Sequence, residues 1–332
     1  VSVDNLFKAF VLTEAVLNLF PVKTSVLDKV FGNKKFLVSG VFQWDIKSGS
    51  RRILKNLKVS DAATIRDGMG LKTVTCNGTR FAEKRFIGAA DLDKLRGFGS
   101  QFADGLVGKR IADELTDIKT EIDRTREFMA IKAISGTVVD DNGDTLVDYG
   151  FSVDQKPTLT GKQKWTDSES NPIKNLRAWK KQITKAVGSV DKFYGFCGSE
   201  AMDALIENGA VQKLLHYSSG KQIADEGRIA FLAGVEIEEV LGTYVDKDGA
   251  EQDLIGAKEF ILVGVSAQTA SEIYVPVVNL NDPNGVGQGN PASMFFADSQ
   301  DQWDPSGKWV RVESRPLPVL NKPQAVVKAT VV

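Results

Sequence analysis

Few side chains in this sequence could act on a substrate. His216 is the one histidine among 332 residues, and it stands in LLHYSSG at the end of a predicted helix. A lone histidine there gains from the negative end of the helix dipole, so a structural role is expected. Any Ser-His-Asp or Cys-His nucleophile would have to run through it. Neither GxSxG nor HExxH occurs, which removes the nucleophile elbow and the paired-histidine zinc helix. Cys76 and Cys197 are the two cysteines and lie far apart. They are expected to be reduced, packed thiols of a cytosolic setting. Gly285-Val286-Gly287-Gln288-Gly289 has the outline of a phosphate loop. However, no Gly-Lys-Ser/Thr follows, and its flanks are NDPN and NPAS rather than a strand and a helix. It reads as a surface loop. DKDGAEQD (246–253) lacks the spacing and the closing glutamate of a calcium loop and reads as a hairpin turn. No catalytic residue, metal site or cofactor is therefore expected.

The elements behind these residues follow from periodicity. Residues 1–35 read as an arm, with Leu6, Phe10, Leu17 and Phe20 on one apolar face and Pro21 breaking the run. Asp4, Lys8, Glu14 and Asn18 interrupt it, unlike a signal peptide. No run approaches the ~20 apolar residues of a membrane span, so no membrane partner is expected. Residues 36–92 carry β-type residues, glycines and the turn signals SGS and NGT, with too few apolar residues for a core. They read as a long two-stranded ribbon, which is marginal alone and should lie on a neighbour.

Lys109 to Ile134 contains neither proline nor glycine, and predicts one helix of about 39 Å at 1.5 Å per residue. Ile111, Leu115, Ile118, Ile122, Met129 and Ile134 form its apolar stripe. Asp113, Glu114, Asp117, Lys119, Glu121, Asp123, Arg124 and Arg126 fill the other, solvated faces. Asp123 and Glu127 are expected to face Lys119 across a turn. Gly136 should end the helix, and TVVDDNGDTLVDYGF should form a hairpin turning at Asn142-Gly143. Pro172 and Gly188 bracket a basic helix. DKFYGFCG reads as a buried strand, SEAMDALIENG as a helix capped by Ser199, AVQKLLHYSS as another helix, and the chain from Ile229 as strand-rich.

Net charge is −1, from 42 basic and 43 acidic residues. Nothing in that total marks a dedicated nucleic-acid binder. The balance hides two opposed blocks. Asp45 to Gly88 holds ten basic and four acidic residues, and Glu236 to Asp304 holds thirteen acidic and two basic ones. Either these charges are scattered over solvated faces, or the basic ribbon of one copy meets the acidic region of another.

Three segments and their order resemble a known family. FKAFVLTEAVLNLFPVKTSVLDKVFGNKKF, FYGFCGSEAMDALIENGAVQKLL and SRPLPVLNKPQAVVKATVV are similar to the arm, the strand–turn–helix element and the closing strands of phage major capsid proteins. The likeness is to the lambda-like capsid protein E group of the HK97 fold. It implies an α+β chain with an N-terminal arm (1–35), an extended E-loop (36–92), a P-domain with spine helix and hairpin (93–169), an A-domain (170–300) and a C-terminal return to the P-domain (301–332). It implies a structural protein, not an enzyme: a homo-oligomer of hexamers and pentamers in an icosahedral shell around double-stranded DNA, which it touches nonspecifically. Scaffolding, portal and possible decoration proteins would be its other partners. It would reside in the virion after assembly in the host cytoplasm. Phe42, Trp44, Arg51, Arg52, Lys55 and Lys58 of the ribbon would make the intersubunit contacts. Some relatives crosslink a lysine to an asparagine, and Lys55 or Lys58 with Asn321 would be the pair, but the lambda-like group is not expected to do so. A cellular compartment shell of the same fold, a tail or head-completion protein that forms rings or tubes, and a soluble hydrolase or nucleotide-binding enzyme are the rival readings.

Overall fold

The N-terminal arm folds onto its own chain. The computed structural model describes residues 6–19, 24–47, 71–89, 104–139, 143–217, 228–246, 248–278 and 292–332. Helices α1 (Ala9–Asn18) and α2 (Ser25–Val30) precede strand β1 (Lys34–Phe36). Leu12 and Val16, one turn apart, are buried with Phe7, whereas Phe10 and Leu17 are exposed. The face expected from the sequence is therefore not the one that packs. AFVLTEAVLN is apolar on most sides, so periodicity alone could not select the buried one.

β2 (Val41–Lys47) and β3 (Leu71–Asn77) pair antiparallel from Val41↔Asn77 to Lys47↔Leu71. They form a two-stranded sheet of their own. β4 (Phe81–Gly88) then leaves the ribbon for another sheet.

The long helix α3 (Asp104–Ser135) has 32 residues, about 48 Å at 1.5 Å per residue. It runs through Gly105 and Gly108, beyond the segment legible in the sequence. A helical glycine costs only about 1 kcal/mol against alanine. Burial of Ile111, Leu115, Ile118 and Ile122, none more than 4% exposed, outweighs that cost. Gly136, at φ +111°, ends the helix. β5 (Thr137–Val139) and β6 (Thr145–Asp148) form the expected hairpin, with Val138 opposite Val147.

α4 (Pro172–Val187) is capped by the Asn171 side chain, which accepts from the Lys174 amide at 3.1 Å, and it stops at Gly188, φ +95°. β7 (Lys192–Cys197), α5 (Ser199–Glu207) and α6 (Gly209–Tyr217) follow. Gly198, not Ser199, is the N-cap of α5. A Cβ at Gly198 would lie 2.4 Å from the Gly256 carbonyl oxygen, so close backbone approach selects glycine there.

The remaining strands are β8 (Arg228–Leu232), β9 (Val235–Glu239), β10 (Thr243–Val245), β11 (Glu251–Asp253), β12 (Glu259–Val265), β13 (Ala270–Tyr274), β14 (Phe296–Gln302), β15 (Gly307–Ser314), β16 (Pro316–Leu320) and β17 (Val326–Thr330). The five-stranded sheet runs β17-β12-β7-β9-β8, and the two three-stranded sheets run β1-β13-β16 and β14-β15-β4. Residues alternate across β12 as a strand buried on both faces requires. Phe260 and Leu262 pack with Trp165, Trp179 and α4, while Ile261 and Val263 pack with the C-terminal half of α3. A third apolar cluster joins α1, the N-terminal half of α3 and the sheet of β14 and β15.

Candidate functional site

The ribbon is held at its root by polar groups that leave little freedom of angle. The Gly78 amide donates to the Gly40 carbonyl at 3.0 Å, closing the open end of the β2–β3 pair. Arg315, between β15 and β16, donates Nε to the Thr79 carbonyl at 3.0 Å, Nη1 to Pro276 at 2.6 Å and Nη2 to Gly78 at 3.3 Å. Arg80 grips Glu313 with both ends of its guanidinium, at 3.1 and 2.9 Å, and Glu313 is 1% exposed. The Thr79 hydroxyl donates to the Pro316 carbonyl. A planar guanidinium is suited to this work because its donors are fixed relative to one another. Glycine is required at position 78, where a Cβ would lie 2.1 Å from Val275 Cγ2.

Phe42 and Trp44 stack at 5.5 Å and are each 8% exposed, packed into the chain's own core beside α3. Their rings, expected at an intersubunit contact, are thus largely covered from within the chain. Arg51, Arg52, Lys55 and Lys58 lie outside the described residues. Asn321 donates to the Ser271 hydroxyl at 3.3 Å.

The helix α3 is not the one-sided element expected. Lys119, Asp123 and Arg126 are all buried. Arg126 makes a two-pronged pair with Glu272 of β13, 2.8 Å on each prong, and donates Nη1 to Asp123. Its guanidinium also lies over the rings of Tyr274 and Phe295, at 5.8 and 5.9 Å. Glu272 is fully buried. Burial opposes the charge on Arg126, but Glu272 and Asp123 prevail and its pKa is raised. Lys119 reaches the other way. Its ammonium donates to the carbonyls of Val16 and Leu19 at the end of α1, at 3.1 and 2.7 Å. The Leu19 carbonyl lies just past the helix and the Val16 carbonyl also accepts from the Leu19 amide at 3.3 Å, so the ammonium sits at the negative end of the helix dipole. Glu127 accepts from the amides of Val26 and Leu27 at 2.8 and 2.9 Å, capping α2 from a remote position. Burial pushes the Glu127 carboxyl up, against those same bonds. The expected Asp123–Lys119–Glu127 ladder does not form: Lys119 and Glu127 reach to α1 and α2, and Asp123 pairs with Arg126 within α3.

A fourth tie joins the ribbon's outgoing strand to α3. Arg85 of β4 bridges Glu83 and Glu121, at 2.7 and 3.2 Å. The two carboxyls share one cation, and the hydrogen bond with Glu121, burial and repulsion push Glu83 up to about 7.

Six of the thirteen acids of the block are paired inside the chain. Glu236 and Glu238 pair with Lys29, Glu259 with Lys328, Glu272 with Arg126, Asp298 with Arg311 and Asp301 with Lys308. Most of these cations lie outside the block, so its net charge overstates the acidic surface offered to another molecule.

Among the described residues, no three His, Cys, Asp or Glu side chains stand where they could share a metal ion. Cys197 is buried, and burial raises its thiol pKa. His216 sits in the last turn of α6, its side chain outside the described residues, as is the 285–289 loop.

The sequence reading missed Arg80, Arg315, Glu313 and the Arg126–Glu272 pair. One signal was present. The stripe on α3 steps by three or four residues as far as Ile122, and then by seven to Met129. The slot in that gap is position 126, so an arginine stands where the buried face continues.

The fold has solved counterparts. The putative capsid protein of a prophage of E. coli CFT073 superposes with a TM-score of 0.64 at 15% identity, covering 100% of this chain and 99% of that one. A phage-related protein of Bordetella bronchiseptica RB50 gives 0.63 at 13% identity, with 97% of each chain covered. The mature capsid of bacteriophage PhiM1 gives 0.53 at 12% identity, covering 94% and 88%. These likenesses place the chain in the HK97-like α+β capsid fold. No curated protein matches it by sequence. The model of the phage major capsid protein E family matches residues 8–331. With nearly the whole length matched and the fold shared, the chain belongs to the phage major capsid protein E family.

Proposed function

We propose that this capsid subunit assembles into hexamers and pentamers that close an icosahedral head around double-stranded DNA, and that its ribbon lies across a neighbouring subunit. Its work is association and rearrangement, without bond chemistry. The observation that carries the reading is the ribbon itself: two strands paired only with each other, yet fastened at the root by Arg315 and the Arg80–Glu313 pair. A lone two-stranded ribbon is marginal in water. A chain that sets two arginines and a buried glutamate to aiming one has a surface for it to rest on.

In this reading residues 1–35 are the arm, 36–92 the E-loop, 93–169 the P-domain, 170–300 the A-domain and 301–332 the return to the P-domain. Arg51, Arg52, Lys55 and Lys58 contact the next subunit, with Phe42 and Trp44 holding β2 against the chain's own core. Exposed ion pairs contribute about 0–1 kcal/mol each, so the contact depends on many repeats. Assembly takes place in the host cytoplasm with scaffolding and portal proteins, a decoration protein is a further possible partner, and DNA is touched without sequence preference.

Negative-stain electron microscopy with light scattering on the purified chain tests this. Rings or closed shells tens of nanometres across are expected, as is loss of assembly when all four cations are changed to Glu. A particle that stays monomeric or dimeric at every salt and protein concentration overturns the proposal. Unchanged assembly after the fourfold reversal overturns the ribbon contact.

A further inference from the structure

We infer that the β10–β11 hairpin of one subunit seats in the groove beside α4 of the next copy, forming a head-to-tail contact within each ring. The inference rests on the shell reading and names a pair of surfaces for it.

The first surface is basic and grooved. α4 carries Lys174, Arg177, Lys180, Lys181 and Lys185 and no acid in its 16 residues. Lys174, Arg177, Lys181 and Lys185 are exposed along one side, spanning about 16 Å at 1.5 Å per residue. Among the described residues, none of these four is ion-paired. Lys180 is engaged otherwise, donating to the Ala233 carbonyl at 2.8 Å. Between α4 and the turn at 153–157 lies a groove of about 660 Å³. Val153, Pro157 and Trp179 supply its apolar wall and floor, Lys181 and Lys185 its rim, and Asp154 its one acid. Val153 is 87% exposed, an apolar side chain without cover.

The second surface has the opposite character. The β10–β11 hairpin presents Asp248, Glu251 and Asp253 to solvent. Unlike Glu236, Glu259, Glu272 and Asp298, these three have no ion-pair partner among the described residues. Lys247 in the turn lies outside the described residues. Val245 on β10 and Leu241 just before it are 70% and 72% exposed. Tyr244 packs its ring at a tilt against Phe128 of α3, 4.7 Å between centroids and beneath Lys132, which holds the hairpin against the helix.

The two surfaces lie on opposite faces of one sheet. α4 covers the face formed by Phe260 and Leu262, whereas the hairpin grows from Val240 and Leu254 on the face of Ile261 and Val263. One chain thus offers an apolar knob ringed by acids on one side and an apolar groove rimmed by bases on the other. Such a pair cannot meet within the chain. Two complementary patches on different sides of a subunit make a heterologous contact, which closes into a ring when the rotation permits. Matching charge fixes register and partner choice, and the apolar centre excludes water. A nucleic acid would match the lysines but offers nothing for Val153 or for the acidic hairpin.

The test is a charge-reversal cycle on the full chain. Lys181→Glu with Lys185→Glu, and separately Asp248→Lys with Glu251→Lys and Asp253→Lys, are each expected to raise the protein concentration needed for ring or shell formation by about tenfold or more. Combining all five in one chain should return it to within about threefold, since the coupling belongs to the pair. Mixing the two singly reversed proteins should also restore six-membered rings, in which the two forms can alternate, and misfolded chains could not do that. The inference is overturned if either reversed set assembles normally, or if neither combination nor mixing restores assembly. Normal assembly with weaker retention of a DNA duplex by the lysine variant would reassign the stripe to nucleic acid. If the unaltered chain never assembles, the shell reading fails. If it assembles and the reversals are silent, only this contact fails.

Discussion

Replacing Arg126 with methionine removes the one cation between two buried carboxylates. Glu272 and Asp123 are fully buried and 1% exposed, and Arg126 bonds both. Deleting one partner of a buried pair costs about 3–5 kcal/mol, because the charge left behind has neither water nor a counterion. At about 2 °C per kcal/mol for a chain of this size, the midpoint of thermal unfolding should fall by about 6–10 °C. The measurement is thermal unfolding of the unassembled subunit, followed by tryptophan fluorescence. The double variant Arg126→Met with Glu272→Met should recover part of the loss, with a coupling of about 1.5 kcal/mol or more. A loss below about 1 kcal/mol, or a double variant with no coupling, would refute the claim that this pair ties α3 to β13.

Gly78→Ala should loosen the ribbon root, since its Cβ would stand 2.1 Å from Val275 Cγ2; faster proteolysis within 40–80 checks this, and wild-type resistance would contradict it. Glu127→Ala should cost about 1–2 kcal/mol by uncapping α2, read as lower hydrogen-exchange protection at Val26 and Leu27, the amides it now bonds. Glu83, pushed up to about 7, holds a proton in the folded chain that the unfolded chain releases near its ordinary value. Its contribution is complete at low pH and lost as pH rises through that window, so Glu83→Gln should flatten the decline of stability between pH 5 and 7.5 in denaturant titrations.

Much of the architecture was legible because local signals agreed with it. Asn171-Pro172 and Gly188 mark α4, Gly136 ends α3, and Asn142-Gly143 announces the hairpin of β5 and β6. The order of arm, ribbon, long helix and strand-rich region carried the family resemblance. Less legible were choices that depend on partners distant in sequence. The buried side of α1 was misjudged because the helix is apolar nearly all round. Lys119 and Arg126 looked solvated because their partners stand on α1 and β13, and Asp123 is buried with Arg126. Ser199 looked like a cap because nothing local shows that Gly198 lies against Gly256.

The sequence by itself determined most of the segments that become helix, strand and turn, and that the chain carries neither a GxSxG nor an HExxH motif. Periodicity, glycine, proline and residue type are local properties, and they act before the chain has folded. Only the tertiary structure decided where the charges go. Glu272 and Arg126 are 146 residues apart yet form one buried pair, while Asp248 and Lys181 remain free on opposite faces of a sheet. Charges far apart in sequence interact appreciably only once folding has brought them together and removed the water between them.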